Sequence, residues 1–266
     1  MNGMNESRPG LSAFGLKTIA LILMTIDHIG YFIPGAPFSL RMIGRLSAPV
    51  FFFVAANSLL HTSNRAAYIL RLYIASATME VIKMAVFFFD ADSRFIVTNN
   101  IFTTLFFSVF LAHCVSTSTR YFIEKDLRKA FAAAAAALVP VIWTLAAKPR
   151  YDLAGWSLKS ILPTLTGAEG GVLWIIMGVG FCLFAGNKKA LIAFYGAFCL
   201  FLFLQTVRFS GPAALFTRDI QWMMVFAAPL FLLYNGQKGP GFKWLFYAYY
   251  PLHIWVLYFT GRALVR

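Results

Sequence analysis

Charge is scarce in this chain. Only 12% of its 266 residues are Asp, Glu, Lys or Arg, about half the share usual in soluble proteins. Acidic residues are scarcer still, 10 against 23 Lys and Arg, giving a formal net charge of +13. Too few polar side chains remain to cover a water-exposed surface, which excludes a soluble enzyme and a soluble nucleic-acid-binding domain. Cysteine is nearly absent. Cys114, Cys182 and Cys199 are an odd number, lie in apolar stretches and lack metal-ligand spacing, so they read as small packing residues and no metal site is expected. No internal repeat, P-loop or Gly-rich dinucleotide fingerprint is present. The apolar runs do not alternate with polar residues, which excludes a transmembrane β-barrel.

Hydrophobic residues make up 60% of the chain and the mean hydropathy is +0.72. A spanning helix needs about 20 mostly apolar residues. Runs near 16–34, 46–62, 68–89, 99–118, 130–147, 169–186, 190–208, 220–234 and 242–262 predict about nine transmembrane helices. The fold class is all-α: a polytopic membrane bundle forming one integral-membrane domain over 13–266, after a loose tail at 1–12. The first run is expected to remain as a span, because it is longer than a signal-peptide core, holds Asp27 and His28, and lacks a small-residue cleavage site.

The basic residues flank apolar runs, where they meet anionic lipid headgroups and set orientation. A small excess on the amino-terminal side favours a cytoplasmic amino terminus, with Arg120 to Lys129 as the densest inner loop. In the long connection 148–168, between Lys148, Pro149, Arg150, Asp152, Lys159 and Pro163, the residues Trp156, Leu158, Ile161 and Leu162 predict a short interfacial segment.

Against this apolar background a few polar residues stand out. Asp27 and His28 are adjacent inside the first run, and ionisable residues within a membrane are costly and usually functional. On a helix they point about 100° apart, so they serve different neighbours. His28 is the candidate for chemistry; Asp27 is expected to pair with Arg41 or Arg45, since a buried charge needs a partner. Gly44, between the arginines, permits close backbone approach. In the third run, Glu80 and Lys83 are three apart and can pair, while Arg71 lies near a span end. Asn99 and Asn100 open the fourth run, as helix caps or as donors to a carbonyl gaining charge. In the last run, Tyr249 and Tyr250 stand four and three residues before His253, so their hydroxyls are within reach of its ring, and Pro251 interrupts the helix ladder between them. His113 and His61 read as structural and interfacial.

These elements together resemble the TraX family, membrane proteins associated with acetylation of conjugative pilin. The resemblance rests on Lys17-Thr-Ile-Ala through Met24-Thr-Ile-Asp27-His28-Ile-Gly30, on Arg41-Met-Ile-Gly44-Arg45-Leu-Ser-Ala-Pro49-Val-Phe, on Tyr68-Ile-Leu-Arg71-Leu, on Asn99-Asn100-Ile-Phe-Thr103 and on Tyr250-Pro251-Leu-His253. It implies a transmembrane acetyltransferase of the bacterial inner membrane, taking acetyl from cytoplasmic acetyl-CoA to an acceptor at the outer face, such as a pilin amino terminus or a surface glycan. On that expectation His28, with Asp27 and His253, is catalytic; Arg41, Arg45, Asn99, Asn100 and Tyr250 bind substrate or the tetrahedral oxygen; Lys17, Arg71, Arg120 and Lys125 hold the CoA phosphates. A transient acetyl-histidine on His28 is an alternative path. A proton-coupled or small-molecule transporter also explains buried ionisable groups, though the lack of a repeat weakens it; a non-catalytic pilus-assembly protein is the third class.

Overall fold

A computed structural model of the chain describes residues 9–89, 97, 99–147, 158 and 160–265. Among the described residues every regular element is helical. The helices are α1 (Ala13–Phe32), α2 (Ser39–Gly44), α3 (Ser47–His61), α4 (Arg65–Phe89), α5 (Ile101–Ile123), α6 (Leu127–Ala146), α7 (Gly171–Phe184) and α8 (Lys188–Ser210). Two 3₁₀ stretches follow, Pro212–Phe216 and Ile220–Ala227, then α9 (Ala228–Leu232) and α10 (Lys243–Val265).

Each of the nine expected spans falls on a helical stretch, so the chain is a multi-pass helical membrane protein. Among the described residues five stretches are long and apolar enough to cross a bilayer: α1, Ser39–His61, α5, α6 and α8. α4 and α10 match them in length, at 25 and 23 residues, but α4 carries Arg65, Arg71, Glu80 and Lys83. Two spans differ from expectation in form. The second begins earlier, at α2, and breaks at Arg45–Leu46 before α3 resumes. The eighth is mostly 3₁₀ and becomes α-helical only at α9, where Pro229 sits at the start and its missing N–H costs no helical bond.

The apolar surface is large. On α6, Phe131, Leu138, Val139, Ile142 and Leu145 are all more than half exposed, as side chains facing lipid rather than protein would be. Pro140 lies inside this helix. Thr144 Oγ1 donates to the Pro140 carbonyl (2.7 Å) and accepts from the Leu165 amide (2.9 Å), so polar groups near the proline are met within the protein, as hydrocarbon surroundings demand.

Contacts group the chain into two units, one of residues 1–54 and 195–266, the other of 55–194. In the first, α1 packs on α2 and on α10. Thr25 meets Tyr249, His28 meets His253 and Phe32 meets Tyr258. Both numbers rise together, so α1 and α10 run parallel. Where they approach most closely, a Cβ on Gly261 would strike the Phe32 carbonyl. Of the expected tail, residues 1–8 lie outside the described set; Leu11 is held by backbone bonds to Leu233 and Asn235 (2.8 and 3.0 Å), and Ser12 Oγ caps α1 by accepting from the Gly15 amide (3.1 Å).

In the second unit α5 is central, packed by α4, α6 and α7. α4 and α5 are antiparallel: Ser76 Oγ meets Thr103 Oγ1 at 2.6 Å, and one turn on Glu80 meets Asn100. Phe107, Leu165, Ala168 and Ile175 form a buried apolar cluster beneath α7. Of the expected interfacial segment, Lys148, Pro149, Arg150, Asp152, Trp156 and Lys159 lie outside the described residues; Leu158, Ile161 and Leu162 are exposed.

Two glycines test the α1–α10 contact. Gly261→Ala should destabilise the folded protein by about 1–3 kcal/mol through overpacking. Gly196→Ala on α8, with nothing near the added methyl, should be neutral or stabilise by up to about 1 kcal/mol. Thermal unfolding in detergent separates the two.

Candidate functional site

α1 presents two polar faces to two neighbours. Thr25, His28 and Phe32 follow helical spacing and face α10. Asp27 lies a third of a turn away and faces α2. The carboxylate is bound at both oxygens: Oδ2 accepts from Arg41 Nη1 at 2.6 Å, and Oδ1 accepts from Arg45 Nη2. Arg41 also donates to the Asp27 carbonyl (3.2 Å), and Arg45 Nε donates to the Arg41 carbonyl (3.1 Å). Both arginines are used where either one was expected. One acid against two cations gives this buried cluster a formal charge of +1.

Small residues make the contact possible. A Cβ on Gly44 would run into the Cα and Cβ of Asp27, and one on Gly30 would press on Leu40 and Arg41. α2 therefore lies directly against α1, with the guanidinium groups beside the carboxylate. The Arg41 guanidinium also stacks over the Tyr31 ring at 5.0 Å, a cation–π contact that helps fix its plane.

On the other face, His28 Nδ1 lies 2.7 Å from His253 Nε2. The ring centroids are 4.9 Å apart and the planes differ by 18°. Near-parallel rings joined nitrogen to nitrogen are in one plane, so this is an edge-to-edge hydrogen bond rather than a face stack. His253 Nδ1 lies 2.8 Å from the Tyr249 carbonyl. A carbonyl only accepts, so His253 Nδ1 carries the hydrogen. In neutral His253 the other nitrogen, Nε2, is then the acceptor, and His28 Nδ1 donates to it. This fixes the acceptor lone pair of His28 on Nε2. The relay ends on backbone, so His253 orients His28 as a third group orients the base in hydrolytic triads.

Tyr249 and Tyr250 do this differently from expectation. The Tyr249 hydroxyl turns away from the imidazole and bonds Thr25 Oγ1 at 2.7 Å, while its ring face stacks on His253 (5.1 Å, 12°). Tyr250 packs edge-on against the same ring at 5.8 Å. Sequence reasoning missed the Tyr249 carbonyl, the group that sets the tautomer. Its only signal was the spacing of four between Tyr249 and His253. Thr25 carried a signal in sharing a face with His28.

The remaining candidates lie in the second unit, except Lys17. Asn100 is wholly buried and its amide nitrogen donates to Glu80 Oε1 (2.7 Å) and the Ser76 carbonyl (3.1 Å). Both hydrogens are committed, so Asn100 offers an acceptor here and not the donor expected for a tetrahedral oxygen. Asn99 Nδ2 donates to Glu169 Oε1 at 3.1 Å, and neither amide side chain caps α5. Lys83 and Glu80 pair as expected, at 2.8 Å. Arg71 in the second turn of α4 and Arg120 in the last turn of α5 lie at one end of that antiparallel pair; Lys125 forms the following turn at φ +62°. Lys17 belongs to the first unit, over the Phe246 ring at 5.2 Å. Among the described residues no group of three His, Cys, Asp or Glu is placed to hold a metal.

The chain is 26% identical over 258 residues, 92% of its length and 94% of the other's, to the "Probable fimbrial assembly protein FimC, serogroup H1" of Dichelobacter nodosus. A shorter match, 52% identical over 40 residues, covers 15% of this chain and 16% of an uncharacterised protein of Rickettsia prowazekii (strain Madrid E). No solved structure matches. The family described as TraX protein matches residues 12–260, from the cap of α1 into the later turns of the His253 helix, and the chain belongs to the TraX family.

Proposed function

We propose that this protein is a membrane-embedded acetyltransferase that moves acetyl from cytoplasmic acetyl-CoA to an acceptor at the outer face of the bacterial inner membrane, such as a pilin amino terminus. The observation that carries the reading is the His28–His253–Tyr249 relay, which leaves the basic lone pair of a buried imidazole on a known atom, His28 Nε2. Family membership and the fimbrial-assembly name of the Dichelobacter relative support the pilus connection.

In this mechanism the acceptor nitrogen or oxygen attacks the thioester carbonyl as His28 Nε2 takes its proton. The new bond to carbon forms, the carbon–sulfur bond breaks, and the imidazolium returns the proton to the leaving thiolate. The +1 cluster of Asp27, Arg41 and Arg45 supplies positive potential on the same helix turn for the oxygen that gains charge. Arg45 has five N–H donors, of which two are engaged with Asp27 and the Arg41 carbonyl. Lys17, near the amino-terminal end of α1, is the cation of this unit proposed for the CoA phosphates.

The name of the Dichelobacter relative also favours a second reading, assembly without catalysis. One assay decides between them: purified protein or membranes given radiolabelled acetyl-CoA and a pilin-derived peptide with a free amino terminus. His28→Ala should lower kcat by about 10²–10⁴-fold and, by leaving His253 Nε2 unpaired, should cost about 1–3 kcal/mol of stability; transfer at the wild-type rate by the folded variant would rule out His28 as the base.

Asp27→Asn should behave differently. Removing the charge takes the counter-ion Asp27 from two partly buried guanidinium groups, at a cost of up to about 3–5 kcal/mol. The unfolding temperature should fall further than for His28→Ala, and both kcat and expression with it.

A further inference from the structure

The loop that leads into α10, Asn235-Gly236-Gln237-Lys238-Gly239-Pro240-Gly241-Phe242, carries a lysine that no step above uses. It lies on the start of α1. The Gln237 and Lys238 carbonyls accept from the Ala13 and Phe14 amides, at 2.8 and 3.1 Å. Gly239 has a φ of +70°, and a Cβ there would strike Ser12 and Phe14. Glycine is what lets the loop sit this close.

Lys17 follows Phe14 by nearly one helical turn. Side chains on a helix lean towards its amino-terminal end, so the Lys17 ammonium is directed back towards this loop. On the way Nζ lies over the Phe246 ring at 5.2 Å. Lys17 is only partly exposed, whereas Lys238 is exposed. The charge that acts on Lys17 is that of Lys238, and it has the same sign.

Among the described residues no carboxylate offsets the pair. The stretches of chain that make up this unit, 1–54 and 195–266, hold three acidic residues, Glu6, Asp27 and Asp219. Glu6 lies outside the described residues. Asp27 is bound by Arg41 and Arg45, and Asp219 stands 3.8 Å from Arg218. Two like charges held together by backbone bonds repel, and an anion shared between them turns that repulsion into attraction.

We propose that Lys17 and Lys238 form a two-point site for a phosphate group, entered from the exposed loop and walled by Phe14 and Phe246. Lysine holds phosphate as a point charge, and a pair of lysines suits a group that carries more than one negative charge. Two sources supply such a group. One is the phosphates of CoA, an identity that rests on the acetyl-transfer reading. The other is an anionic phospholipid headgroup, which is independent of it.

The test reads binding rather than transfer, on the full chain in dodecyl maltoside, a detergent without phosphate. The probe is adenosine 3′,5′-bisphosphate and the control is adenosine. The bisphosphate should bind saturably, and more weakly as salt rises; adenosine should not bind. Lys17→Gln and Lys238→Gln should each weaken it about tenfold. Lys238→Gln, whose side chain is exposed, should not lower the unfolding temperature of the unliganded protein, because it removes a repulsion. Arg218→Gln removes a cation that already faces Asp219 and should bind like wild type. Phosphatidylglycerol in mixed micelles is the lipid arm, read by native mass spectrometry against phosphatidylcholine. Lysine-dependent retention of phosphatidylglycerol, with displacement of the bisphosphate, identifies the headgroup as the source; bisphosphate binding that phosphatidylglycerol does not displace identifies the nucleotide phosphate. Binding of neither probe by the wild type, or unchanged binding by the Lys17→Gln/Lys238→Gln double variant, would overturn the proposal. Lysine-dependent binding in a protein that transfers no acetyl would leave this site standing and sink the transfer reading. Transfer by the wild type, with both probes bound normally by the double variant, would do the reverse.

Discussion

A carboxylate cannot remain ionised inside a membrane helix without partners, and the first unit is organised around that constraint at Asp27. The cost of removing a lone carboxylate from water is several kcal/mol even after relaxation. Arg41 and Arg45 meet it, one on each oxygen. For two guanidinium groups to reach one carboxylate, α2 has to lie against α1 with no side chain between, which is why glycine stands at 44 and at 30. The break at Arg45–Leu46 follows from the same demand: α2 ends where its second arginine has been delivered, and α3 leaves in a new helix. The ion pair, the small residues and the broken span are one structural solution.

With Asp27 held on one face of α1, His28 is necessarily directed to another, and that face is occupied by α10. The parallel packing of the two helices is closed by Gly261 at one end and by the Thr25–Tyr249 bond further back. Between them the imidazoles are joined in plane, with a backbone carbonyl at the end of the chain. The relay from His28 through His253 ends on the Tyr249 carbonyl rather than on a carboxylate. An Asp at the end of such a relay stabilises imidazolium by full charge; a carbonyl does so by its dipole alone, and so fixes the tautomer more than it raises basicity. This separates the tasks of two neighbours in sequence: Asp27 holds α2, and His28 addresses α10.

Much of this was legible in the chain itself. The helical class follows from apolar run length, and the divergence of Asp27 from His28 follows from 3.6 residues per turn. That Asp27 would seek Arg41 or Arg45 follows from the cost of its charge. What was not legible is anything set by three-dimensional register. The pairing of His28 with His253 spans 225 positions, and no local rule relates them. The hydroxyl of Tyr249 looked aimed at His253 from its spacing, but the parallel α1 offers it Thr25 instead. Asn100 read equally well as a donor, until the acceptors around its nitrogen reversed its role. The 3₁₀ form of the eighth span is invisible to hydropathy, which measures polarity along the sequence, and 3₁₀ and α-helix share that.

The direction of α10 has a further consequence. Parallel helices in one membrane protein enter from the same side, so an even number of crossings brings the chain from the start of α10 back to the start of α1. This agrees with α10 being the ninth span. It also sets depth. His28 is eleven residues beyond Lys17 on α1, an axial rise of about 16 Å, or roughly half the hydrocarbon thickness. On the proposed reading a CoA molecule held by its phosphates at the inner surface presents only its slender thioester arm at that depth, and the acceptor crosses a similar distance from outside. An acceptor reaching such a point must itself be narrow and end in its nucleophile. An extended peptide terminus meets that requirement, and a nucleophile flanked by bulk on both sides does not.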